Sequence, residues 1–256
     1  MTSGFTDARP RQVQVADDIR LKIERGDWPG GHKLPSFDEL GRTYGSSLAV
    51  VRKAVDLLKQ QGLIVTVQGT GTFVRSHPIA QRHGMERYSR RVWQGGSTAL
   101  AATPKSPAAA VRQEIRALEE TPAPALVAER LGIEPGTTVW ARRRTTYVDD
   151  RPNQLADSFY ELEIVRGTRI MEADTGPGGG FARLEEAGHE LTEIVEELST
   201  RMPSGPESVA LQLPPGTPVM ELVRTVYDQD RHPVEVMVSV IAGDMASFVY
   251  RFPVPE

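Results

Sequence analysis

The sequence of 256 residues contains no cysteine. This absence excludes disulfide scaffolds, thiolate zinc sites, iron–sulfur clusters and cysteine nucleophiles. No hydrophobic run approaches the roughly 18 apolar residues that a membrane-spanning helix needs. The first residues, MTSGFTDARPRQ, have no apolar core, so they do not resemble a signal peptide. We therefore expect a protein of the reducing cytoplasm with no membrane partner.

Charge is unevenly distributed along the chain, although the formal net charge is only −4. Residues 1–76 have 11 Lys or Arg against 8 Asp or Glu, and residues 77–123 have 7 against 4. Residues 124–256 have 12 against 22, so the three parts carry +3, +3 and −10. Such asymmetry predicts a part that faces nucleic acid, joined to a part that does not.

The first 76 residues have the pattern of three helices followed by a β-hairpin. Apolar residues recur every three or four positions, the spacing of one helix face, in the segments 10–26, 36–45 and 47–61. Ser36 and Glu39 match the capping box that begins a helix. The β-branched segments 63–67 and 72–74 predict a hairpin. A helix-turn-helix with an added hairpin is a winged helix-turn-helix.

The third helix is the segment expected to read DNA, because base edges in the major groove are read from the exposed side of one helix. Its inward face is predicted to comprise Leu48, Val51, Val55 and Leu58. On the outward face, Arg52 is the candidate for a base contact and Val50 for a thymine methyl group. Ser47 and Lys53 are candidates for phosphate contacts. The alternative is that these cations are only solvated, as most exposed Lys and Arg are.

The hairpin and the second helix supply further candidate DNA contacts. Glycines at the hairpin tip let the backbone approach the duplex closely, and the predicted contacts there are Gln68, Gly69, Thr70 and Gly71. Ser36 is first a helix cap, and a phosphate contact is its second role. A single domain of charge +3 neutralises few phosphates, so a dimer on a two-fold operator is expected to bind DNA more strongly.

Residues 77–108 are interpreted as a linker. His77 to Gly96 is polar and basic, and STALAATPKSPAAA (97–110) is small, contains proline and has no periodicity. Regular patterns resume near Val111, so a second domain is predicted over 109–256.

An internal repeat organises the second domain. Residues 131–151 align without gaps on residues 211–231, with ten identities. Each copy has a Pro-Gly turn, a strand, an Asp-rich tip and a returning strand. Two hairpins are too few for a solenoid and predict one antiparallel sheet with approximate internal symmetry. Between the copies, a glycine-rich segment (174–180) precedes a predicted helix that begins near Phe181 and continues past Gly188 through Leu191, Ile194 and Val195. The fold class is therefore α+β.

Alternation along the last predicted strand suggests a ligand site. Valines at 234, 236, 238 and 240 are expected to face the core, so Glu235 and Ser239 face the other way. Aligning the repeats with one gap places Gln154 in register with Glu235 and Ser158 with Ser239. The hypothesised effector pocket is lined by Arg142, Arg144, Ser158, Arg224 and Glu235.

The chemistry of this pocket favours an anion, because arginine forks bind carboxylates and phosphates. The alternative is that these arginines form cross-strand ion pairs on a solvated face. The glycine-rich segment lacks the Lys-Ser/Thr of a phosphate loop, so it is interpreted as a turn or lid before a helix N-terminus that could assist an anion. The five histidines have no metal-ligand spacing. We expect neither a metal nor a cofactor.

The first 76 residues resemble the winged-helix domain of the GntR family of bacterial transcription regulators. The resemblance is carried by Val15-Ala16-Asp17-Asp18-Ile19-Arg20, Gly26, Gly30, Leu34-Pro35-Ser36, Tyr44-Gly45, Val51-Arg52-Lys53-Ala54, Gln61-Gly62-Leu63-Ile64 and Gly69-Thr70-Gly71-Thr72-Phe73-Val74. Two positions depart from the family pattern: Phe37 stands where an acidic residue is usual, and Leu48 where an arginine is usual. The operator sequence of relatives is therefore not carried over.

The remainder is similar to the effector-binding domain of the HutC-type branch, called UTRA. The similarity is carried by Leu131-Gly132-Ile133, Gly136, Val139, the strand Arg142–Arg144, Arg151-Pro152, Asp174-Thr175-Gly176-Pro177-Gly178-Gly179, Arg201-Met202-Pro203 and Pro233-Val234-Glu235-Val236. It implies a chorismate-lyase-like α/β domain built on an antiparallel sheet. It also implies a homodimer that binds an inverted-repeat operator in double-stranded DNA and is released or retuned by a small molecule, most simply as a repressor. Two alternatives stay open: a lyase-like enzyme, and a constitutive DNA-binding protein whose second domain only dimerises.

Overall fold

The computed structural model describes residues 8–76, 81–99, 110–252 and 254. The chain divides into two units, one of residues 1–78 with 213–217 and one of residues 79–212 with 218–256. Within the described ranges, no helix is long and apolar enough to cross a membrane.

The first unit consists of three helices and a hairpin: α1 (Arg11–Glu24), α2 (Phe37–Tyr44), α3 (Leu48–Gln60), β1 (Ile64–Val67) and β2 (Gly71–Val74). Buried side chains from all five elements form one apolar cluster, with Ile19, Val51 and Leu58 fully enclosed. Hydrophobic burial of this kind, rather than helix propensity, supplies most of the stability of short helices. The predicted winged helix-turn-helix is confirmed.

Local capping sets the turn between α2 and α3. The Ser36 backbone N–H donates to the Glu39 carboxylate at 2.8 Å, and the Glu39 N–H donates back to the Ser36 side chain, so the predicted capping box is confirmed. Gly45 ends α2 in the left-handed conformation, with φ +55°. Two residues later, the Ser47 side chain caps α3. The turn between the two helices is therefore only three residues long.

One predicted core residue of α3 is wrong. Leu48 is 46% exposed, whereas Val51, Ala54, Val55 and Leu58 are buried. Leu48 is on the first turn of α3, before the first position that the apolar cluster covers. The periodicity places Leu48 on the inward face, but the core does not extend to that end of the helix.

A six-stranded antiparallel sheet forms the centre of the second unit. Its strands are β4 (Val111–Pro122), β5 (Thr138–Val148), β6 (Arg151–Glu161), β7 (Leu191–Arg201), β8 (Val219–Asp228) and β9 (Pro233–Ala242). Their spatial order is β4-β5-β6-β9-β8-β7. The remaining elements are β3 (Gln81–Gly84), β10 (Ala246–Val249), α4 (Arg90–Gln94), α5 (Ala125–Leu131), α6 (Leu162–Val165), α7 (Gly179–Glu186), α8 (Gly205–Ala210) and 3₁₀ turns at Met85–Tyr88 and Arg169–Met171.

The strand order reflects the internal repeat. Each copy supplies a hairpin, β5–β6 or β8–β9, and the two hairpins meet at the central β6–β9 pair. The first hairpin turns at Asp149 and Asp150, both with positive φ, as a tight turn that matches strand twist requires. The predicted single sheet with internal symmetry is confirmed.

Two predictions for the second unit need correction. Residues 81–99 of the predicted linker are structured, because β3 pairs with β10 and Trp93, only 5% exposed, packs edge-on against the Phe181 ring. The other linker residues, 77–80 and 100–108, lie outside the described residues. The predicted helix stops at Glu186, and residues 191–201 form strand β7 on the sheet edge beside β8.

Both faces of β9 are buried. Val236 packs with Val127 and Leu131 of α5 in one apolar cluster. The opposite face carries Glu235 and Ser239, which are 2% and 0% exposed. The predicted alternation is confirmed for Val236 and Val238 against Glu235 and Ser239, but Val234 belongs to a different apolar cluster, with Tyr160 and Phe181. The polar face is an interior surface of the domain.

Candidate functional site

The outward face of α3 presents the predicted DNA-contacting side chains. Ser47, Arg52 and Lys53 are exposed, and Val50 is half-buried. The Ser47 hydroxyl accepts from the Val50 N–H at 3.5 Å, so this residue is also the helix cap. Arg52 and Lys53 are exposed cations on this face.

The hairpin tip lies at the end of the wing. Gln68, Gly69 and Thr70 are exposed, and Gly71 is half-buried. Gly69 and Gly71 have φ of +74° and +139°, conformations that residues with a side chain rarely adopt. The two glycines therefore permit a tip so tight that its backbone can contact a surface.

Lys33 is a wing cation that the sequence analysis did not single out. It is exposed and forms an isolated bridge with Phe73 of β2. Its Nζ atom lies 5.9 Å from the centroid of the Phe73 ring. The signal for it was its position directly before the Leu34-Pro35-Ser36 motif, which places a cation at the base of the wing.

A cavity of about 140 Å³ lies within the second unit. That volume is many times the roughly 10–15 Å³ that one water molecule requires, so it can hold a small organic molecule. Three parts of the unit line it: the sheet through Arg142, Arg144, Gln154, Arg224 and Glu235; the start of α7 through Gly178–Phe181; and the segment 81–99 through His83, Arg87 and Tyr88.

Alternation on β5 divides three consecutive arginines between two surfaces. Arg143 forms ion pairs with Asp157 at 2.5 Å and Glu119 at 3.0 Å, away from the cavity. Arg142 and Arg144 line the cavity. On β5, cross-strand ion pairing therefore occurs at Arg143, the arginine between the two predicted cavity residues.

The two cavity arginines on β5 have different partners. Arg142 is 6% exposed and donates to the carbonyl oxygens of Glu172 and, at 2.8 Å, Ala173, so it holds the loop before α7. Arg144 donates to the Ser158 hydroxyl at 2.6 Å, and its Nε atom is buried without a hydrogen-bond partner among the described residues. Arg144 thus retains a donor that a bound molecule could use.

Glu235 and Arg224 form a buried ion pair in the cavity wall. Arg224 Nη2 donates to Glu235 Oε2 at 2.8 Å, and the two residues are 8% and 2% exposed. The Tyr160 hydroxyl donates to the other carboxylate oxygen at 2.8 Å. Burial alone would raise the pKa of Glu235, but the charges of Arg224 and Arg144 outweigh it, so the pKa is lowered. Glu235 is therefore a carboxylate at neutral pH.

Of the five predicted effector residues, Ser158 alone does not line the cavity. It is fully buried beneath it and contacts Arg144. The predicted register of Gln154 with Glu235 and of Ser158 with Ser239 is wrong, because Gln154 pairs with Ile241 and Ser158 with Met237. Gln154 Nε2 instead donates to Ser239 Oγ at 2.7 Å. Repeat alignment thus brought together residues of one interior face.

The segment 81–99 supplies cavity residues that the sequence analysis assigned to a linker. Arg87 and the Tyr88 hydroxyl both donate to the Glu196 carboxylate on β7, and the Tyr250 hydroxyl donates to it at 2.8 Å. Arg87 is 4% exposed. The basic composition of residues 77–96 was the sequence signal that could have identified these cavity residues. The cluster fastens this segment to the edge of the sheet.

The glycine-rich segment ends at the first turn of α7. Gly178 has φ +81°, and a Cβ there would lie 2.6 Å from the Trp93 carbonyl oxygen, so only glycine fits. Gly178, Gly179 and Gly180 line the cavity. The free backbone donors of a helix N-terminus favour negative charge. This end of the cavity therefore attracts an anion, as the nearby arginines do.

A winged helix-turn-helix with an exposed cationic helix, in one chain with a domain that encloses a charged cavity, defines a DNA-binding transcription regulator controlled by a small effector. Comparison with known families agrees. Residues 11–74 match the gntR family of bacterial regulatory proteins, and residues 109–247 match the UTRA domain. The chain belongs to the GntR family, in the branch that carries a UTRA domain.

Relatives along almost the whole chain are regulators. The uncharacterized HTH-type transcriptional regulator SCO4628 of Streptomyces coelicolor is 34% identical over 253 residues, which is 96% of this chain and 94% of that protein. GgaR of Escherichia coli, also an HTH-type transcriptional regulator, is 23% identical over 95% of this chain and 91% of its own.

Solved structures show the same architecture. One described as a GntR-family transcriptional regulator is 28% identical, with a TM-score of 0.70, over 96% of this chain and 99% of its own. PhnF from Mycobacterium smegmatis shares the fold, with 21% identity and a TM-score of 0.53. The match covers 94% of this chain and 100% of the PhnF chain.

The buried pair makes a direct prediction for stability. Arg224→Met and Glu235→Leu each leave an uncompensated buried charge, so each is expected to cost about 3–5 kcal/mol of unfolding free energy. The double variant is expected to lose much less unfolding free energy than the sum of the losses of the two single variants. Urea unfolding followed by tryptophan fluorescence measures this coupling.

The exposed pair Arg166–Glu163, with Nη1–Oε1 at 2.9 Å, is the matched control. Its coupling in the same cycle is expected to stay below about 1 kcal/mol, because solvent screens exposed ions. Additive losses for Arg224 and Glu235 would contradict the interpretation that the two charges compensate each other.

Proposed function

We propose that this protein is a homodimeric repressor that binds an inverted-repeat operator and leaves it when a small anion occupies the cavity. The supporting observation is the cavity itself: Arg144 and the start of α7 face it, and Arg144 keeps a buried donor without a partner. Because a regulator of this kind acts on chromosomal DNA, the proposed location is the cytoplasm. The proposed DNA-binding domain is residues 1–76, and the proposed effector and dimerisation domain is residues 109–256 with the structured segment 81–99.

The proposed operator contacts follow from exposure on α3 and the wing. Arg52 reads base edges, with Val50 against a thymine methyl group. Ser36, Ser47 and Lys53 hold phosphates, and the wing tip contacts the backbone through Gln68, Gly69, Thr70 and Gly71. Leu48 is exposed on the first turn of α3, so an apolar side chain faces the operator where the family pattern has an arginine. Operator preference is therefore expected to differ from theirs.

The proposed effector contacts are unequal. Arg144 is the principal anion contact, assisted by Arg224 and by the backbone at the start of α7. Arg142 donates to carbonyl oxygens of the loop before α7, and its role is to shape the cavity. Ser158 positions Arg144, and Glu235 neutralises Arg224 and accepts from a ligand donor. The proposed effector carries a carboxylate or phosphate group.

The sheet edges support the proposed dimer. Strands β4 and β7 lie at the two edges, and both are largely exposed along their length. They expose the apolar side chains Ile115, Val195 and Leu198. Long open edges with apolar side chains are pairing surfaces, and a second copy of the chain would double the basic surface offered to an operator.

We infer that the cavity binds without turnover. Glu235 is held as a carboxylate by Arg224, and its pKa is lowered rather than raised, which is unsuited to a general acid at neutral pH. This favours a regulator over a lyase-like enzyme. The third possibility, a second domain that only dimerises, gives no reason for a charged interior cavity.

The DNA-binding proposal is tested with an operator obtained by in vitro selection. Arg52→Ala is expected to lose about 1–3 kcal/mol of operator binding, because one bidentate base contact is lost. Its binding to random-sequence DNA should change much less. Fluorescence anisotropy measures both affinities, with Arg25→Ala, an exposed position at the end of α1, as the control. Unchanged discrimination between operator and random DNA would remove Arg52 from base recognition.

The effector proposal is tested by operator release in the presence of a library of carboxylates and phosphates. Operator release from the Arg144→Gln variant is expected to require a roughly 10-fold or higher concentration of any compound that releases the unmodified protein, because a charge-assisted hydrogen bond is lost. Arg143→Gln is the matched control, since its side chain lies on the other face of the same strand and pairs with Asp157. An Arg144→Gln variant that responds like the unmodified protein would refute the assignment.

A further inference from the structure

His83 lies in the wall of the cavity in a fixed orientation. It is on β3, directly opposite Phe248 of β10, and its side chain is 6% exposed. The two rings stack with centroids 4.9 Å apart and an angle of 19° between their planes. Strand pairing and stacking together hold the imidazole in one position against the cavity.

One ring nitrogen of His83 makes no hydrogen bond to the described residues. The Nε2 atom of His83 is buried and makes no hydrogen bond within the described part of the chain. A buried polar atom without a partner destabilises the protein unless water or a ligand bonds to it. Since His83 lines the cavity, a molecule in the cavity is the available partner.

The imidazole is neutral in the folded protein. Burial, reinforced by the positive charge of Arg87 and opposed by the more weakly acting Glu196, lowers the pKa of His83 to about 4. A neutral imidazole nitrogen donates or accepts one hydrogen bond according to its tautomer. His83 thus offers an uncharged hydrogen-bonding group.

This chemistry differs from that of the other unpartnered atoms in the cavity wall. Those are Nε of Arg144 and Nε of Arg224, which are cationic donors suited to an anion. One wall of the cavity therefore complements negative charge, and His83 complements an uncharged polar group. A simple anion would satisfy the arginines and leave His83 without a partner.

We propose that His83 is a specificity residue that selects effectors bearing an uncharged hydrogen-bonding group, such as a hydroxyl, in addition to the anionic group held by Arg144. The effector class is then a hydroxylated carboxylic acid or phosphate ester. This inference rests on the proposed function of the cavity as an anion site. A site with a buried hydrogen-bonding group discriminates against an analogue that lacks the matching group, because the buried atom is left unpaired.

The experiment uses pairs of anions that differ in hydroxyl groups: glycerol 3-phosphate against propyl phosphate, malate against succinate, and gluconate against hexanoate. Binding to the full-length protein is measured by isothermal titration calorimetry. At least one hydroxylated member is expected to bind roughly 3- to 10-fold more tightly than its partner, the effect of one hydrogen bond.

Three variants assign that preference. His83→Phe keeps the stacking on Phe248 and removes the nitrogen, so it should bind both members of the pair equally. His83→Gln restores an uncharged hydrogen-bonding group and should retain at least part of the preference. His232→Phe, at an exposed position outside the cavity, should behave like the unmodified protein.

The outcomes separate this inference from the proposed function. Equal binding of both members by the unmodified protein, or a preference that survives in His83→Phe, would overturn the role of His83 while leaving the anion site intact. Failure of every anion to bind the unmodified protein would contradict the proposed anion site, and the inference with it.

Discussion

The ion pair between Arg224 and Glu235 is the interaction on which the second domain depends most. Two charges removed from water are tolerated only when they compensate each other with good geometry, and here they meet at 2.8 Å. Arg224 also contacts residues outside the sheet. The Arg224 guanidinium carbon lies 4.9 Å from the Phe181 ring centroid on α7, and its Nη1 donates to the Tyr88 hydroxyl at 3.5 Å. One buried cation thus touches each of the three parts that enclose the cavity.

This arrangement would give the proposed anion a physical means of acting on the segment 81–99. Tyr88 and Arg87 belong to the segment that follows the winged helix in the chain, and both are fastened to Glu196. The proposed anion, held near Arg144 and Arg224, would change the charge balance beside these contacts. Because Arg224 bonds to Tyr88, and Tyr88 and Arg87 bond to Glu196, a change at Arg224 is transmitted along this chain of hydrogen bonds. Effector control of DNA binding requires such a differential interaction between two states.

Local features of this molecule could be predicted from the sequence, and those that depend on distant partners could not. Period-two alternation placed Arg142 and Arg144 on one face because it is a property of any strand. The edge strand β7 was mistaken for a helix because its apolar residues, Leu191, Ile194, Val195 and Leu198, have helical spacing, which pairing with β8 overrides. His83 was missed because β3 exists only through pairing with β10, more than 160 residues later in the chain. Leu48 was misplaced because periodicity does not show where a core ends.

The central claim is that the cavity and the DNA-binding surface are coupled, and reciprocity tests it most directly. Isothermal titration calorimetry would measure the affinity of an anion that releases the operator, first for the free protein and then for the operator-bound protein. Coupling requires that the anion bind more weakly to the operator-bound protein, by the same factor by which the anion weakens operator binding. Equal anion affinities for the free and operator-bound protein would contradict the account.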